Sequence, residues 1–235
     1  MRKDNRNELQ LRPIRIVPDY VQNLPGSVLM EQGLTRIVAT ATYENKIPHF
    51  MKETKKGWIN AEYAMLPGSV GRQRLHRERF RVNNRHIEIQ RFISRALRNA
   101  FPMTAIEGKT IFIDADVIQA DGSTRCVALN AGMLLTVMVL KHLVYENLIP
   151  EMPEIEMMAA VSIGLKEREI LVDLNYEEDS AADADINIVS TEKKNIIEVQ
   201  AFAEENPVDH KLFKKAIELG IEKNLEIIGI LKQFS

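Results

Sequence analysis

Hydrophobic and polar positions alternate in several short runs of the N-terminal third, which is typical of β-strands. Ser27–Glu31 and Thr35–Tyr43 are rich in β-branched residues and flank Gln32-Gly33, so they predict a hairpin. Lys55-Lys56-Gly57 interrupts the pattern, and the mixed segment Trp58–Leu66 predicts a further extended segment.

The pattern takes a helical period after Ile87. Apolar residues then recur three or four positions apart, as expected for a helix that faces a core: Ile89, Phe92, Ile93, Ala96 and Ala100. Arginines occupy another face, with Glu88 one turn before the first of them: Arg91, Arg95 and Arg98. We expect intrahelical ion pairs there, worth about 0.2–0.5 kcal/mol each.

A strand, a small-residue turn and a long helix follow one another in the middle of the chain. Thr110–Gln119 is β-branched and apolar, Asp121–Arg125 reads as a tight turn, and a helix is predicted from Val127 to about Asn147. The start of a helix directs backbone N–H groups and a positive dipole at an anion, and Arg125 adds a full charge. The alternative is simple N-capping of the helix by Ser123 or Thr124.

Pro150 and Pro153 mark the predicted boundary between two lobes, 1–150 and 151–235. Beyond them the pattern predicts four strands: Met157–Ile163, Ile170–Tyr176, Asp185–Ser190 and Ile196–Phe202. A helix from about Asp209 to Lys223 and a short apolar tail, Ile227–Leu231, complete the chain. The predicted fold class is α+β, with two similar βαβ-type lobes whose mixed sheets pack against helices.

The composition is that of a globular protein, with 45% hydrophobic and 27% charged residues. Its longest apolar run, Ala131–Leu135 or to Leu140 if Thr136 is included, is about half of the roughly 20 residues that a membrane span needs. The charged N-terminus has no secretory pattern. The single cysteine, Cys126, suits a reducing compartment, so we expect a cytoplasmic protein without a membrane segment.

Basic residues are concentrated in one segment, although the chain as a whole carries a net charge of −2. Between Arg72 and Arg85 there are six arginines and one acid, Glu78. The arginines are Arg72, Arg74, Arg77, Arg79, Arg81 and Arg85. Forked guanidinium donors suit phosphate groups, which indicates local recognition of a polyanion. A solvated, flexible loop is the alternative.

Acidic residues are concentrated between Asp173 and Asp185, without a basic residue among them. The six carboxylates are Asp173, Glu177, Glu178, Asp179, Asp183 and Asp185. Oxygen ligands favour Mg²⁺ or Mn²⁺ over zinc, although a solvent-facing acidic turn would have the same composition. The sequence contains no zinc-ligand spacing and no Walker, dinucleotide-binding or Gly-x-Ser-x-Gly motif, which argues against those classes of enzyme.

Several further blocks have distinctive sequences. They are Arg2-Lys3-Asp4-Asn5-Arg6, Gln10-Leu11-Arg12-Pro13, Gly26-Ser27-Val28-Leu29, the run from Gly57 to Pro67, Glu88-Ile89-Gln90-Arg91, Gln119–Arg125, Glu178-Asp179-Ser180-Ala181-Ala182 and Ile197-Glu198-Val199-Gln200. In this order, over nearly the whole chain, they resemble the bacterial ribonuclease PH family of phosphate-dependent exoribonucleases, which trim tRNA 3′ ends.

The resemblance implies a ribonuclease PH-type fold and assigns roles to the charged clusters. Inorganic phosphate, the co-substrate, would be bound by Arg85, Ser123, Thr124 and Arg125. Asp179 and Asp185 would be the catalytic aspartates that hold Mg²⁺ or Mn²⁺, and either could protonate the leaving oxygen. The tRNA body would contact Arg72, Arg74, Arg77, Arg79 and Arg81. The products would be nucleoside diphosphates and shortened RNA, and the assembly a homo-hexamer, a trimer of dimers.

Two other functions are alternatives to phosphorolysis: a non-catalytic RNA-binding ring subunit, as in some exosome relatives, and a hydrolytic metal nuclease. A scaffold has no need of Arg85, Arg125, Asp179 and Asp185 together, and a hydrolase has no need of the phosphate turn. The chain departs from the family pattern at Ser123, where glycine is usual, and at three other places. These are Cys126-Val127-Ala128 for small polar residues, Gly68 for an arginine, and Ala201-Phe202 for Gly-Thr.

Overall fold

The computed structural model describes residues 2–71, 74–76, 83–167, 169–203 and 207–235. Within these ranges the chain forms nine strands, four α-helices and two short 3₁₀ helices, at His49–Met51 and Met103–Ile106. The strands are β1 (Ile14–Pro18), β2 (Gly26–Gln32), β3 (Thr35–Glu44), β4 (Trp58–Met65), β5 (Thr110–Gln119), β6 (Met158–Lys166), β7 (Glu169–Val172), β8 (Ala184–Thr191) and β9 (Ile196–Ala203). The helices are α1 (Asn84–Leu97), α2 (Thr124–Tyr145), α3 (Tyr176–Asp179) and α4 (His210–Leu231).

The first sheet has the strand order β1-β2-β3-β5-β4 and is mixed. The predicted hairpin is confirmed, because β2 and β3 pair antiparallel and close between Gln32 and Thr35. β4 and β5 are parallel, and α1 lies between them in sequence, so β4–α1–β5 is a βαβ unit. This unit therefore places the start of α1 and the turn that follows β5 in the same lobe.

The second sheet has the order β7-β6-β8-β9 and all its pairs are antiparallel. Its helix α4 therefore follows the sheet instead of joining two parallel strands. The strand predicted at Ile170–Tyr176 is too long, because β7 ends at Val172. Asp173 has a φ of 54°, which turns the chain out of the sheet and into α3.

Helix α2 is the centre of the core and packs against strands of both sheets, β2, β3 and β5 on one side and β6 on the other. Asn130, fully buried on α2, bonds the backbone of Ala160 on β6 in both directions, at 3.0 and 2.7 Å. The helix is long and apolar enough to cross a membrane, with a mean hydropathy of 1.8, but 78% of that stretch is buried inside the protein. Burial on nearly all sides explains its composition.

Helix α1 buries the predicted apolar stripe as far as Ala96, and Ala100 is buried after the helix has ended at Leu97. Its arginines bond differently from the prediction. Intrahelical pairing was wrong for two of them: Arg95 donates to Glu198 on β9 at 2.6 Å, and the Arg98 guanidinium stacks over Trp58 at 4.0 Å. Glu88 accepts a hydrogen bond from Arg125 instead of pairing along its own helix. Tertiary partners therefore replace the local ones that helical spacing suggested.

Helix α4 includes the apolar tail that the sequence pattern had separated from it. The helix runs unbroken to Leu231 because Asn224, which interrupts the apolar pattern, is itself buried and its amide N–H₂ bonds to β8. Its amide donates to the carbonyl of Ile188 at 3.0 Å and to the hydroxyl of Ser190 at 2.9 Å, both on β8. A polar residue thus anchors the helix to the sheet.

Candidate active site

The turn between β5 and α2 has two consecutive residues in the left-handed region, Gly122 with φ 72° and Ser123 with φ 55°. A Cβ at Gly122 would collide with the carbonyl oxygen of Leu174, so only glycine fits there. Ser123 occupies the N-cap position of α2, but its side chain does not cap the helix. Its hydroxyl lies 2.5 Å from the Ser162 hydroxyl and donates to Leu174 O at 3.0 Å. The N-capping alternative is therefore wrong, and Ser123 leaves the first N–H groups of α2 to an anion.

Thr124, the first residue of α2, is held by a side chain from the neighbouring strand. The buried Tyr63 hydroxyl donates to Thr124 Oγ1 at 2.9 Å. Burial raises the pKa of Tyr63, so the phenol keeps its proton and remains the donor. The Tyr63 ring meets His86 of α1 edge to face, with centroids 5.4 Å apart, which joins the starts of the two helices.

Arg125 is oriented by a chain of polar contacts. Its Nη1 donates to Gln200 Oε1 at 2.5 Å and to Glu88 Oε1 at 2.9 Å. Gln200 in turn donates to Glu198 at 2.9 Å, and Glu198 also accepts from Arg95. Because the Gln200 amide N–H₂ is directed at Glu198, its carbonyl oxygen is directed at Arg125, which fixes the guanidinium in the cleft.

Two aspartates approach this region from the second lobe. Asp179 ends α3, and Asp185 lies near the start of β8. Asp185 Oδ2 accepts from the Asn187 amide at 2.8 Å, whereas Oδ1 is buried without a hydrogen-bond partner among the described residues. Burial and, after it, repulsion from Asp179 raise the pKa of Asp185 to about 6, against the attraction of Arg125 and Arg85.

One cavity of about 240 Å³ is lined by all six residues that the resemblance assigned to phosphate and catalysis: Arg85, Ser123, Thr124, Arg125, Asp179 and Asp185. A second cavity of about 530 Å³ shares Arg85, Arg125 and both aspartates with it and extends to Gln200 and Phe202. A cavity of about 560 Å³ elsewhere, lined by Trp58 and Arg98, contains none of the six. The polar groups, and not the size of the cavity, therefore identify the candidate site.

The arginines between residues 72 and 81 add no described contact to the candidate site. Arg74 is exposed and is not among the residues that line the two cavities. Arg72, Arg77, Arg79 and Arg81 lie outside the described residues. Contact of the whole segment with tRNA stays a prediction.

Asp179 and Asp185 supply the carboxylates in this cavity that a divalent cation could bind. In the described ranges, no group of three or more His, Cys, Asp or Glu side chains could hold a metal ion. Asp179 and Asp185 still fit Mg²⁺, which is commonly held by one or two carboxylates together with water and substrate phosphates. The unpartnered Oδ1 of Asp185 is a buried acceptor of the hard, anionic kind that Mg²⁺ prefers.

Comparisons with known proteins identify the family to which the chain belongs. Residues 10–134 match the family model described as 3′ exoribonuclease family, domain 1, and residues 156–223 match domain 2. Ribonuclease PH of Exiguobacterium sibiricum is 43% identical over 96% of this chain and 90% of its own length. That of Acaryochloris marina is 40% identical over 96% and 95%. The chain belongs to the 3′ exoribonuclease family.

Solved structures share the fold of this exoribonuclease. Rice Rrp46 superposes with a TM-score of 0.79 at 19% identity, covering 100% of both chains. An Archaeoglobus fulgidus exosome structure with RNA bound to the active site gives 0.79 at 21%, covering 100% of this chain and 92% of that one. The α+β fold of ribonuclease PH type and the phosphate-dependent exoribonuclease class predicted from the sequence are thus confirmed.

Sequence reasoning missed several residues of the candidate site. Asn187 had a signal, because it lies two positions after Asp185 on the same strand and so on the same face. Ser162 had none, since only packing brings it to the turn. Tyr63 lies in the distinctive run from Gly57 to Pro67, but its bond to Thr124 could not be read from spacing. Gln200 belonged to a distinctive block, but its bond to Arg125 could not be read from spacing.

Proposed function

We propose that this exoribonuclease removes nucleotides one at a time from RNA 3′ ends by phosphorolysis, with tRNA precursors as substrates. The observation that carries the proposal is a single cavity lined both by the phosphate turn and arginines and by the aspartate pair. A binding-only ring subunit would need the arginines but would gain nothing from a half-buried Asp185 close enough to Asp179 to be repelled by it. The likeness to exosome proteins concerns the fold alone, because those chains are about 20% identical.

The first task of the site is to hold an anionic nucleophile against an anionic substrate. Arg125, fixed by Gln200, and Arg85 at the start of α1 supply positive charge to the bound phosphate. The first N–H groups of α2 add hydrogen bonds and the positive end of the helix dipole. Both effects offset the repulsion between phosphate and the scissile phosphodiester, in a site whose dipoles are already oriented.

In the chemical step an oxygen of inorganic phosphate bonds to phosphorus, and the bond from phosphorus to the 3′ oxygen of the preceding nucleotide breaks. The electron pair stays on that oxygen, which takes a proton and becomes the new 3′ end, while a nucleoside diphosphate is released. Asp179 and Asp185 are the acidic groups placed to supply the proton. Mg²⁺ or Mn²⁺ held by the same two carboxylates would supply positive charge to the scissile phosphate.

The remaining parts of the proposal concern the setting of the reaction. We place the enzyme in the cytoplasm as a homo-hexamer, with lobes 1–150 and 151–235 in each chain. The arginines between residues 72 and 81 would contact the tRNA body. Bacterial relatives named ribonuclease PH, which match almost the whole chain, support tRNA as the substrate.

Product analysis tests the proposal most directly. An oligoadenylate carrying its label in the 3′-terminal nucleotide is incubated with the enzyme and Mg²⁺, with and without inorganic phosphate. Phosphate-dependent release of ADP is expected, and ADP in excess should drive the reverse extension of RNA. Release of AMP without phosphate would instead indicate a hydrolase, and RNA binding without release a scaffold. Asp116→Asn, which removes an exposed carboxylate on β5 outside the site, serves as the control and should release the same products as the parent.

A further inference from the structure

Three arginines near the N-terminus are buried, which is rare for arginine unless it is paired. Arg2, Arg6 and Arg12 are 8%, 6% and 3% exposed. The first two precede residue 10, where the match to the family model begins. Arg2 and Arg12 pair closely with the acidic segment that carries Asp179, whereas Arg6 pairs with Asp4 at 2.7 Å and reaches Glu178 of that segment at 3.5 Å.

Arg2 binds α3, the helix that ends at Asp179. Its Nε and Nη2 donate to the two oxygens of Glu178 at 2.6 and 2.5 Å. Nη1 donates to the carbonyl of Val172 at 2.8 Å, at the end of β7, and Arg6 donates to the carbonyl of Asp173 at 3.1 Å. A forked side chain therefore joins the residue next to Asp179 to the strand from which the segment departs.

Glu178 also determines the shape of α3. Its carboxylate accepts from the backbone of Asn175 at 3.0 Å, and the Asn175 side chain accepts from Glu178 N at 3.0 Å, which is a capping box. Burial raises the pKa of Glu178, but its bonds to Arg2 and Asn175 outweigh this and leave the pKa lowered, so the carboxylate stays charged. A helix of four residues has little stability of its own, and these contacts supply it.

Arg12 reaches the other half of the site. It binds both oxygens of the fully buried Asp173, with Nη2 2.6 Å from Oδ1 and Nε 3.1 Å from Oδ2. Its Nη1 donates to the carbonyl oxygen of Asp121, the residue before Gly122 in the phosphate turn. The carboxylate of Asp121 returns to the acidic segment, where it accepts from Tyr176 N at 3.2 Å.

We propose that Arg2, Arg6 and Arg12 form an N-terminal clamp that positions Asp179 relative to the phosphate turn. The inference rests on the proposed function and adds positioning residues to it. Arg2 acts through Glu178 on Asp179, whereas Arg12 acts through Asp173 and Asp121 on both halves. Buried ion pairs of this kind add little net stability compared with apolar packing, but they fix one geometry.

The test separates the two halves of the site. Arg2→Lys keeps the charge but loses the fork, and Glu178→Gln keeps the shape but loses the charge. Each should lower kcat and weaken Mn²⁺ binding by about 10-fold or more, as changes to residues that orient a metal ligand do. Electron paramagnetic resonance measures the Mn²⁺ affinity. The KM for phosphate should stay within about twofold, because the phosphate turn is held by other contacts. Arg12→Lys should raise that KM as well.

Lys3→Ala is the matched control, since Lys3 pairs with Glu177 on the same two segments but in solvent. It should change neither kcat nor Mn²⁺ binding. Thermal unfolding of every variant identifies those that lose the fold, and Arg2→Lys is the mildest change. A folded Arg2→Lys or Glu178→Gln enzyme with the kcat and Mn²⁺ affinity of the parent would overturn the proposal. If the parent released no nucleoside diphosphate, the proposed function would fail, but Mn²⁺ binding would still test the clamp.

Discussion

Asp185→Asn should stabilise the protein in the absence of divalent cations while abolishing its activity. Asp185 is half-buried, its Oδ1 is buried without a hydrogen-bond partner in the described parts of the chain, and its carboxylate is repelled by Asp179. In the unfolded chain the same carboxylate is hydrated and far from Asp179. The charged carboxylate therefore destabilises the folded state, and the neutral amide of asparagine removes this destabilisation.

The magnitude follows from the pKa of Asp185. The rise from 3.8 to about 6 corresponds to about 3 kcal/mol above pH 6, at 1.36 kcal/mol per pH unit. This is an upper bound, because the amide N–H₂ at the position of Oδ1 would still lack a partner, and we expect about 1–3 kcal/mol. For a chain of this size each kcal/mol raises Tm by about 2–4 °C.

The dependence on pH has a definite sign. Between pH 4 and 6 the folded state binds more protons than the unfolded state at Asp185, so this residue's contribution to stability falls as the pH rises through that range. The gain from Asp185→Asn should therefore be full at pH 8 and disappear near pH 4. Denaturant unfolding in EDTA at several pH values measures it, and Asp116→Asn controls for the loss of one exposed charge.

Two results would refute this reasoning. One is an Asp185→Asn protein that is no more stable than the parent at pH 8. The other is a gain that does not change between pH 8 and pH 4, which would indicate a packing effect. Added Mg²⁺ should stabilise the parent more than the variant, because it removes the repulsion between the carboxylates and so narrows the difference between the two proteins.

The remaining predictions concern phosphate, RNA and the turn. Arg125→Ala should abolish ADP release while leaving RNA affinity nearly unchanged, and normal turnover would remove Arg125 from the phosphate site. Gln200→Ala frees the Arg125 guanidinium, so the KM for phosphate should rise several-fold, at about 1 kcal/mol for one hydrogen bond, and an unchanged KM would refute that contact. RNA affinity should fall steeply with salt, and replacing the arginines between residues 72 and 81 by alanine should flatten the log–log slope by about 0.7–0.9 per lost contact; an equal slope would reject the role. Gly122→Ala should destabilise the fold by about 2 kcal/mol or more through its positive φ and the clash with Leu174, measured by denaturant unfolding, and a neutral effect would contradict that geometry.

Most of the fold could be predicted from the sequence because its signals are local. The β2–β3 hairpin, β5 and the buried face of α1 follow from alternation and helical period, and each is confirmed. The errors arose where a tertiary contact overrode a local preference. A buried Asn224 kept α4 continuous, and the turn at Asp173 shortened β7.

The candidate site was predictable in composition but not in its connections. Charge clustering and family resemblance were sufficient to select the six residues that line one cavity. The partners that orient them come from elements distant in sequence, such as Gln200 on β9 and Arg2 before β1. A single sequence contains no spacing signal for contacts of that kind, because folding alone decides which strand lies beside which turn.

Two of the departures from the family pattern, Ser123 and Cys126, are compensated by hydrogen bonds at the same positions. Ser123 adopts a left-handed φ where glycine is usual, and its hydroxyl bonds Ser162 and Leu174 instead of entering the anion site. Cys126 replaces a small polar residue, but its buried thiol donates to Asn187 Oδ1 at 3.2 Å. With its oxygen engaged by the thiol, Asn187 must direct its N–H₂ at Asp185, which is the bond that orients this aspartate. The Cys126 thiol, although a weak donor, thus orients Asn187 as a hydroxyl at this position could. The substitution therefore preserves the geometry that phosphorolysis requires.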